Sequence, residues 1–264
     1  MTTAAASRSN AGDVRADARL FDAVRAGDLA AAQAAVADGA SVRAQDHDGE
    51  EPLHWACASG HLDIALWLHS AGASVDATTN NGRTPLHLAC ANGHLDVAQW
   101  LHSAGASVDA TDRGGGTPLH NACSMGHLVI AQWLHSAGAS VDATSDGGDT
   151  PLHHACLEGH FAIAQWLQSS GASVDVTDNV ERTPLHYACW RGRFEIAQWL
   201  CSAGADATLR TNDGDTPAQL LQRHARTAQF DELELRSTLA CLVRRARAQG
   251  PLPCPAAPVQ AVKN

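Results

Sequence analysis

A 33-residue period governs most of this sequence. The tetrapeptide TPLH begins at residues 84, 117, 150 and 183, and AQWL begins at residues 98, 131, 164 and 197. A period of this length indicates stacked supersecondary units, because one short unit cannot bury its own apolar face whereas stacked neighbours can. We therefore expect a repeat array, with full copies that begin near residues 47, 80, 113, 146 and 179.

Each copy carries the signals of two short helices. In the copy at residues 80–112, Thr84-Pro85 is typical of a helix start, since Thr caps free amides and Pro suits the first turn. Gly93 can adopt positive φ and end this helix. The residues between them that share an apolar face are Leu86, Ala89 and Cys90.

The second helix of each copy carries a tryptophan on its apolar stripe. In the copy at residues 80–112 the stripe consists of Val97, Trp100, Leu101 and Ala104. The tryptophan recurs at residues 67, 100, 133, 166 and 199. Because a periodic aromatic stripe on an amphipathic helix is usually core packing, we expect these side chains to be buried.

The whole pattern, G-x-TPLH-x-A-x-x-x-GH-L-D-V-A with GAS-V-D-A after the second helix, resembles the ankyrin repeat. The resemblance implies an all-α solenoid of stacked helix-turn-helix units with short β-hairpin fingers. It covers residues 17–248 as about seven units, of which the divergent first and last act as caps. Residues 1–16 are expected to be a disordered N-terminal segment and residues 249–264 a Pro-rich flexible tail.

One copy departs from the pattern at its turn. The glycine found at residues 49, 82, 115, 148 and 214 is replaced by Glu181. A side chain at a turn position that glycine usually fills either strains the turn or changes its type. We therefore expect the finger around Glu181 to be reshaped.

The opposite face of each first helix varies between copies and is the predicted binding surface. In the ankyrin family, this face and the turn tips line a concave groove that grips other proteins. Variation at these positions alone is expected if each unit contacts a different part of one ligand, although surface drift is the alternative. The predicted partner-binding residues are Trp55, Leu88, Asn121, Met125, His154, Leu157, Arg182, Tyr187, Trp190 and Arg191.

The C-terminal half of this face is richer in the residue types that are common at protein interfaces. Tyr187, Trp190 and Arg191 are of the residue types that dominate interface energetics. These three are therefore the expected anchor, with Arg182 at the polar rim. The predicted partner is a protein or peptide that the sequence does not identify, and the chain itself is expected to be monomeric.

Histidines and cysteines are abundant, but most of the fifteen histidines and five of the eight cysteines belong to the repeat. The resemblance implies that the His of TPLH hydrogen-bonds the Thr of the same motif or a neighbouring loop. Equivalent residues in stacked helices lie about 8–10 Å apart, too far for a disulfide ladder or a four-ligand zinc site. We expect buried free thiols, no cofactor, no metal and no catalysis, since phosphate-binding and nucleophile motifs are also missing from the sequence.

Net charge and hydropathy limit the kinds of partner and the cellular locations that we expect. A net charge of −10 disfavours nucleic acid as a partner. No apolar stretch reaches the length of a signal peptide or membrane span, so we expect a cytoplasmic protein, with the nucleus also open. The alternatives to an interaction module are an inert spacer, a regulatory fragment of a larger protein, and a metal-binding or enzymatic protein.

Overall fold

The computed structural model describes residues 10–225 and 232–249, and these ranges contain fourteen α-helices and no strand. The helices are α1 (Asn10–Ala26), α2 (Leu29–Ala37), α3 (Pro52–Ser59), α4 (Leu62–Ser70), α5 (Pro85–Asn92), α6 (Leu95–Ser103), α7 (Pro118–Met125), α8 (Leu128–Ser136), α9 (Pro151–Glu158), α10 (Phe161–Ser169), α11 (Pro184–Trp190), α12 (Phe194–Ser202), α13 (Pro217–Ala225) and α14 (Glu232–Gln249). The prediction of an all-α array of paired helices is confirmed.

The chain divides into two compact units, unit 1 (residues 1–173) and unit 2 (residues 174–264). In unit 1 the first helices α3, α5, α7 and α9 pack against one another in order, and each packs on the second helix of its own copy. In unit 2, α11 packs on α12 and α13, and α14 packs on α12 and α13. Each helix pair thus buries its apolar face against a neighbouring pair.

The N-terminal boundary differs from the sequence-based expectation. Helix α1 begins at Asn10, so the segment expected to be disordered through residue 16 is helical from that point. The reason is an apolar stripe at i, i+4 and i+8, in which Ala16, Leu20 and Val24 are all fully buried. Residues 1–9 and the predicted tail from residue 250 onward lie outside the described residues.

Capping fixes the bounds of the first helices as the sequence predicts. At α5, the backbone N–H of Thr84 donates to Nδ1 of His87 at 3.1 Å, and Pro85 fills the first turn. The helix ends at Gly93, whose φ of 85° lies in the left-handed region. The Nε2–H of His87 then donates to the carbonyl of Gly116 in the following finger, at 3.1 Å. The role that the family resemblance implies for this histidine is confirmed.

The apolar stripes are buried, but the tryptophans are not fully part of them. Leu86, Ala89 and Cys90 are 0% exposed, and so are Val97 and Leu101 of the second helix. The side chains of the five repeat tryptophans, Trp67, Trp100, Trp133, Trp166 and Trp199, are only half-buried. The prediction of a buried tryptophan stripe is therefore wrong.

Three of these tryptophans contact an imidazole of the preceding copy at the edge of the stripe. The rings of His69 and Trp100 meet edge to face, with their centroids 5.8 Å apart. The same contact recurs between His102 and Trp133, at 6.0 Å. These ring pairs link neighbouring second helices at the surface of unit 1.

The fingers are tight turns, and neighbouring fingers are joined by a single backbone hydrogen bond. In the finger before α5, Thr79 N–H donates to the carbonyl of Arg83 at 3.0 Å and closes the turn. The N–H of Asn80 donates to the carbonyl of Asp48 in the preceding finger, at 2.8 Å. In unit 2 the equivalent bond joins Asn212 N–H to the carbonyl of Val180, at 3.0 Å.

Glu181 adopts the backbone conformation of the glycines that it replaces. Its φ is 61°, and it is the one non-glycine residue with positive φ in the described part of the chain. Its N–H donates to the carbonyl of Asp178 at 3.0 Å, as Gly82 N–H does to Thr79 at 2.9 Å. The expectation of a reshaped finger is wrong, because the turn hydrogen bonds hold Glu181 in a left-handed conformation that side chains disfavour.

Candidate protein-binding surface

The predicted binding residues of unit 1 differ widely in exposure. Met125 is 57% exposed at the end of α7. Leu88 is only 6% exposed, so it offers little surface, contrary to the sequence-based expectation. The reason is its place on α5, which lies between α3 and α7 in the stack. The half-buried members of the set are Trp55, Asn121, His154 and Leu157.

Trp55 is held in a specific orientation by two neighbours. Its indole Nε1–H donates to Oδ2 of Asp46 at 3.0 Å, and the guanidinium carbon of Arg25 lies 4.0 Å from the ring centroid. Burial alone would raise the pKa of Asp46, but hydrogen bonds from Trp55 and from the finger backbone hold it below its usual value. The carboxylate therefore stays charged and anchors the indole to the finger.

His154 lies against His120, the histidine of the TPLH motif in the previous copy. The rings of His154 and His120 meet edge to face with centroids 5.5 Å apart. Burial lowers the pKa of both, and that of His120 falls to about 4 with a smaller contribution from His154. Both side chains are therefore neutral near pH 7, so this part of the face presents aromatic edges and no positive charge.

Tyr187 in unit 2 repeats the arrangement of Trp55. Its hydroxyl donates to Oδ2 of Asp178 at 2.9 Å, and Nε of Arg182 donates to the same oxygen at 3.0 Å. The guanidinium carbon of Arg182 lies 5.0 Å from the tyrosine ring centroid. Tyr187 is 7% exposed, so it supports the surface from below and is not the protruding anchor that the sequence suggests.

Trp190 and Arg191 are the exposed members of the expected anchor. Trp190 is 38% exposed and contacts Tyr187 edge to face, with ring centroids 6.3 Å apart. Arg191 caps α11, and its guanidinium carbon lies 5.5 Å from the Trp190 ring. The large apolar side chain is thus supported by the tyrosine on one side and flanked by a cation on the other.

Trp190 opens onto a cavity of about 240 Å³ within unit 2. Its lining, which we call the Trp190 pocket, consists of Val180, Arg182, Trp190, Thr211, Asp213, Asp215, Leu220 and Arg223. One arginine of the wall is fixed from beneath: Nη2 of Arg223 donates to Oδ1 of Asp215 at 2.7 Å. The carboxylate of Asp215 is largely buried, whereas the guanidinium of Arg223 is mostly exposed.

The acidic residues that organise this site are not among the residues predicted from the sequence. Asp178 and Asp46 each stand nine residues before the aromatic residue that they bind. Other copies carry Thr79, Asp112, Ser145 or Thr211 at that position, so the repeat pattern shows only a polar finger residue. The signal was the pairing of an acid at that position with a hydrogen-bonding aromatic in the next helix.

Comparison with models of protein families identifies the family of the chain. A model described as Ankyrin repeats (3 copies) matches residues 20–112 and 119–211, and one described as Ankyrin repeats (many copies) matches residues 93–135. The chain belongs to the ankyrin-repeat family. No curated protein sequence matches it closely enough to count as a relative.

Residues 10–225 and 232–249 of this ankyrin-repeat chain show neither a metal-binding cluster nor a membrane-spanning helix. Within those ranges, no group of three or more histidine, cysteine or acidic side chains is arranged to hold a metal ion. The described helices also include none that is both long and apolar enough to cross a bilayer. What the described surface offers is a set of aromatic and charged side chains held by acidic finger residues, of which Asp178 and Asp215 are buried.

Proposed function

We propose that this ankyrin-repeat chain is a non-catalytic protein-interaction module, and that the Trp190 pocket of unit 2 is its principal binding site. Ankyrin repeats generally mediate binding between proteins. The observation that carries the proposal is the exposed indole of Trp190 beside a 240 Å³ cavity. An exposed tryptophan next to a cavity and flanked by arginines is the composition of an interface centre.

The pocket favours a ligand with an apolar side chain. Trp190, Val180 and Leu220 supply apolar surface, and Val180 and Trp190 are each close to 40% exposed. Burying an apolar side chain of the partner against them is favourable by roughly 25 cal/mol per Å² of area removed from water. The apolar contact would supply most of the affinity.

Specificity would come from the charged groups, which are already ordered. Arg182 is bound to Asp178 and Arg223 to Asp215, so neither guanidinium has to be immobilised by the partner. Because little side-chain entropy is then lost on binding, more of the contact energy is available as affinity. Arg223 and Asp213 offer a donor and an acceptor at the rim for polar groups of the partner.

Unit 1 would add contacts of a similar kind. Met125 is exposed and flexible, which suits an adaptable apolar contact. Trp55 and His154 present ring edges held by Asp46 and His120, respectively. We assign these residues a secondary role, because the described cavity that contains an exposed tryptophan lies in unit 2.

The proposal is tested by selecting ligands for the folded chain. Peptides displayed on phage are panned against the intact protein, with counter-selection on Trp190→Ala/Arg191→Ala. Tyr187 is left unchanged because it is buried. Peptides retained by the natural chain and lost on the variant support the pocket. A matched variant, Val129→Ala, should retain them, because Val129 is 62% exposed on α8 and lies outside the proposed surface.

Two results would overturn the proposal. Selected peptides that bind the double variant as well as the natural chain would place binding elsewhere. Failure to enrich any peptide or folded-domain library would favour the spacer alternative. We further propose that the chain acts as a monomer in the cytoplasm or nucleus. Its partners are not nucleic acids, because a net charge of −10 repels phosphate.

A further inference from the structure

Helix α14 runs parallel to α12 in a single register. Nε2 of Gln198 donates to Oγ1 of Thr238 at 2.8 Å, across 40 residues of chain. Just beyond the end of α12, the carbonyl of Ala205 accepts a 3.1 Å hydrogen bond from Nε of Arg245 on α14, again across 40 residues. Because both hydrogen bonds join residues that are 40 positions apart, α12 and α14 run in the same direction.

This register brings two cysteines side by side. Cys201 and Cys241 are also separated by 40 residues and lie between the two hydrogen-bonded pairs just described. The Cys241 thiol is near enough to Cys201 to contribute to the raised pKa of the Cys201 thiol. Cys201 is 5% exposed, whereas Cys241 is half-buried and so remains accessible to small molecules.

The thiol at residue 201 is peculiar to the copy that packs on α14. The same position carries His69, His102 and His135 in three earlier copies and Gln168 in the fourth. The repeat scaffold therefore does not need a cysteine at this position. The only copy that has one is also the copy whose second helix faces another cysteine.

We propose that Cys201 and Cys241 form a reversible disulfide when the protein meets hydrogen peroxide, and that this bond fastens α14 to α12. In the first step Sγ of Cys241, as thiolate, attacks one oxygen of peroxide; the O–O bond breaks, a sulfenic acid forms, and hydroxide leaves and is protonated to water. In the second step Sγ of Cys201 attacks the Cys241 sulfur, the S–S bond forms, and a second water departs with the thiol proton.

The order of the two steps follows from exposure. Burial, with the nearby Cys241 thiol as a second cause, raises the pKa of Cys201 to about 12. Cys201 is therefore a poor first nucleophile, and the more accessible Cys241 is the one that peroxide reaches. The sulfenic acid is then consumed by the neighbouring Cys201 thiol, which protects Cys241 from further oxidation.

The other described cysteines are less suited to forming a disulfide than Cys201 and Cys241. Cys57, Cys90, Cys123 and Cys156 are 0% exposed, and burial raises the pKa of each thiol. They recur once per copy on stacked helices about 8–10 Å apart, beyond the reach of a disulfide. Cys189 is close enough to Cys201 and Cys241 for their charges to raise its pKa, after burial itself, but it is also fully buried.

Peptide mapping tests the proposal on the intact chain. The protein is treated with hydrogen peroxide, its free thiols are alkylated, and it is digested with trypsin. We expect peptide 194–210 to be joined to peptide 237–244 with the loss of two hydrogens, and dithiothreitol to separate them. A Cys254→Ser variant, which removes the cysteine of the segment outside the described residues, should give the same cross-link.

Three variants distinguish this pair from its neighbours. Cys201→His installs the residue of the earlier copies and should abolish the cross-link while leaving the helices folded. Cys241→Ser should do the same. Cys189→Ala should leave the cross-link intact. Peroxide that converts Cys241 to sulfinic acid with no joined peptide, or a cross-link that depends on Cys254 or Cys189, overturns the proposal.

Thermal unfolding gives a second measurement. A disulfide that closes a 40-residue loop restricts the unfolded chain, so the oxidised protein should unfold roughly 5 °C or more above the reduced protein. The shift should vanish with Cys201→His. An unchanged or lower midpoint in the cross-linked protein would contradict the inference that the bond fits the native register.

Discussion

The hydroxyl of Tyr187 donates a 2.9 Å hydrogen bond to the carboxylate of Asp178, nine residues earlier in the chain. In unit 1, the indole N–H of Trp55 donates to Asp46 in the same way at 3.0 Å. Two different aromatic residues at the same repeat position thus use the same acidic finger residue. Each fastens the variable face of a first helix to the finger beside it.

Removing only the Tyr187 hydroxyl should weaken unit 2 modestly. Tyr187→Phe deletes the bond to Asp178 while keeping the ring, and we expect a loss of about 1 kcal/mol in unfolding free energy. Tyr187→Ala removes a buried ring and should cost about 3–5 kcal/mol. Urea unfolding followed by circular dichroism measures both. If neither variant changed the unfolding free energy, Tyr187 would not be a structural support of the surface.

Glu181 offers a stabilising substitution. Glu181→Gly relieves the positive φ of 61° and should raise the unfolding free energy by about 1 kcal/mol. The reverse change, Gly82→Glu, should be strongly destabilising, because a Cβ at Gly82 would lie 2.8 Å from the backbone nitrogen of Arg113.

Gly82 and Gly214 together distinguish the cost of a positive φ from the cost of a steric clash at Cβ. Gly214 has a similar φ of 80°, yet a Cβ there would meet no heavy atom within 4 Å. Gly214→Glu should therefore cost less than Gly82→Glu in the same urea experiment. A loss of stability in Glu181→Gly would mean that the glutamate makes a compensating contact.

Glu51 stands where later copies carry threonine, and it leaves a buried oxygen unsatisfied. Its Oε2 is the one buried side-chain polar atom without a hydrogen-bond partner in the described part of the chain. Glu51→Thr should restore the contact with His54 that Thr84 makes with His87, and should stabilise the protein by about 1–2 kcal/mol at pH 7.

The Glu51→Thr gain should depend on pH. Burial raises the pKa of Glu51, so its penalty is present when the group is ionised and disappears once it is protonated. The gain should therefore shrink as the pH falls from 7 to 4, as measured by urea unfolding at each pH. Thr84→Glu, the matched reverse change, should destabilise. A constant gain would argue against an ionised buried carboxylate.

Acid should destabilise the array through its buried histidines. Burial lowers the pKa of His120 from 6.5 to about 4, so below pH 6.5 the unfolded state binds a proton that the folded state rejects. Stability therefore falls as the pH drops from 6.5 to 4, and His120 alone contributes about 3 kcal/mol of that loss. Burial also lowers the pKa of the histidines at the same repeat position in three other copies, His54, His87 and His186.

A variant isolates the histidine contribution from that of the acids. His120→Gln keeps a donor but cannot titrate, so unfolding free energies measured between pH 7 and 4 should fall less steeply than in the natural chain. Glu50 and Glu51, whose pKa burial raises, act in the opposite direction. Asp46 and Asp178, with lowered pKa, weaken folding only at lower pH. Equal slopes in the two proteins would contradict the account.

The sequence predicts the helices well because their ends are set locally. Thr84-Pro85 and Gly93 fix α5 through capping and left-handed geometry, which need only neighbouring residues. It predicts exposure less well, because exposure depends on contacts between copies. Trp100 meets His69 from the preceding copy, and Leu88 lies on a helix between two others, so neither burial follows from helical periodicity.

The binding surface is only partly readable from sequence for the same reason. Trp190 and Arg191 are variable residues on the predicted face and are exposed there. Asp178 and Asp215, which fix the arginines of the pocket, come from fingers whose polar residues look interchangeable in the repeat. Only the packed structure shows which finger residue supports which side chain.

If the Trp190 pocket binds a protein ligand, loss of its exposed side chains must weaken that binding, and the ratio of two dissociation constants measures the loss. Isothermal titration of a selected peptide into the natural chain and into Trp190→Ala/Arg191→Ala gives two dissociation constants. We expect the Kd of the variant to be at least thirtyfold higher, about 2 kcal/mol, with the unfolding free energy little changed. Equal dissociation constants in two equally folded proteins would contradict it.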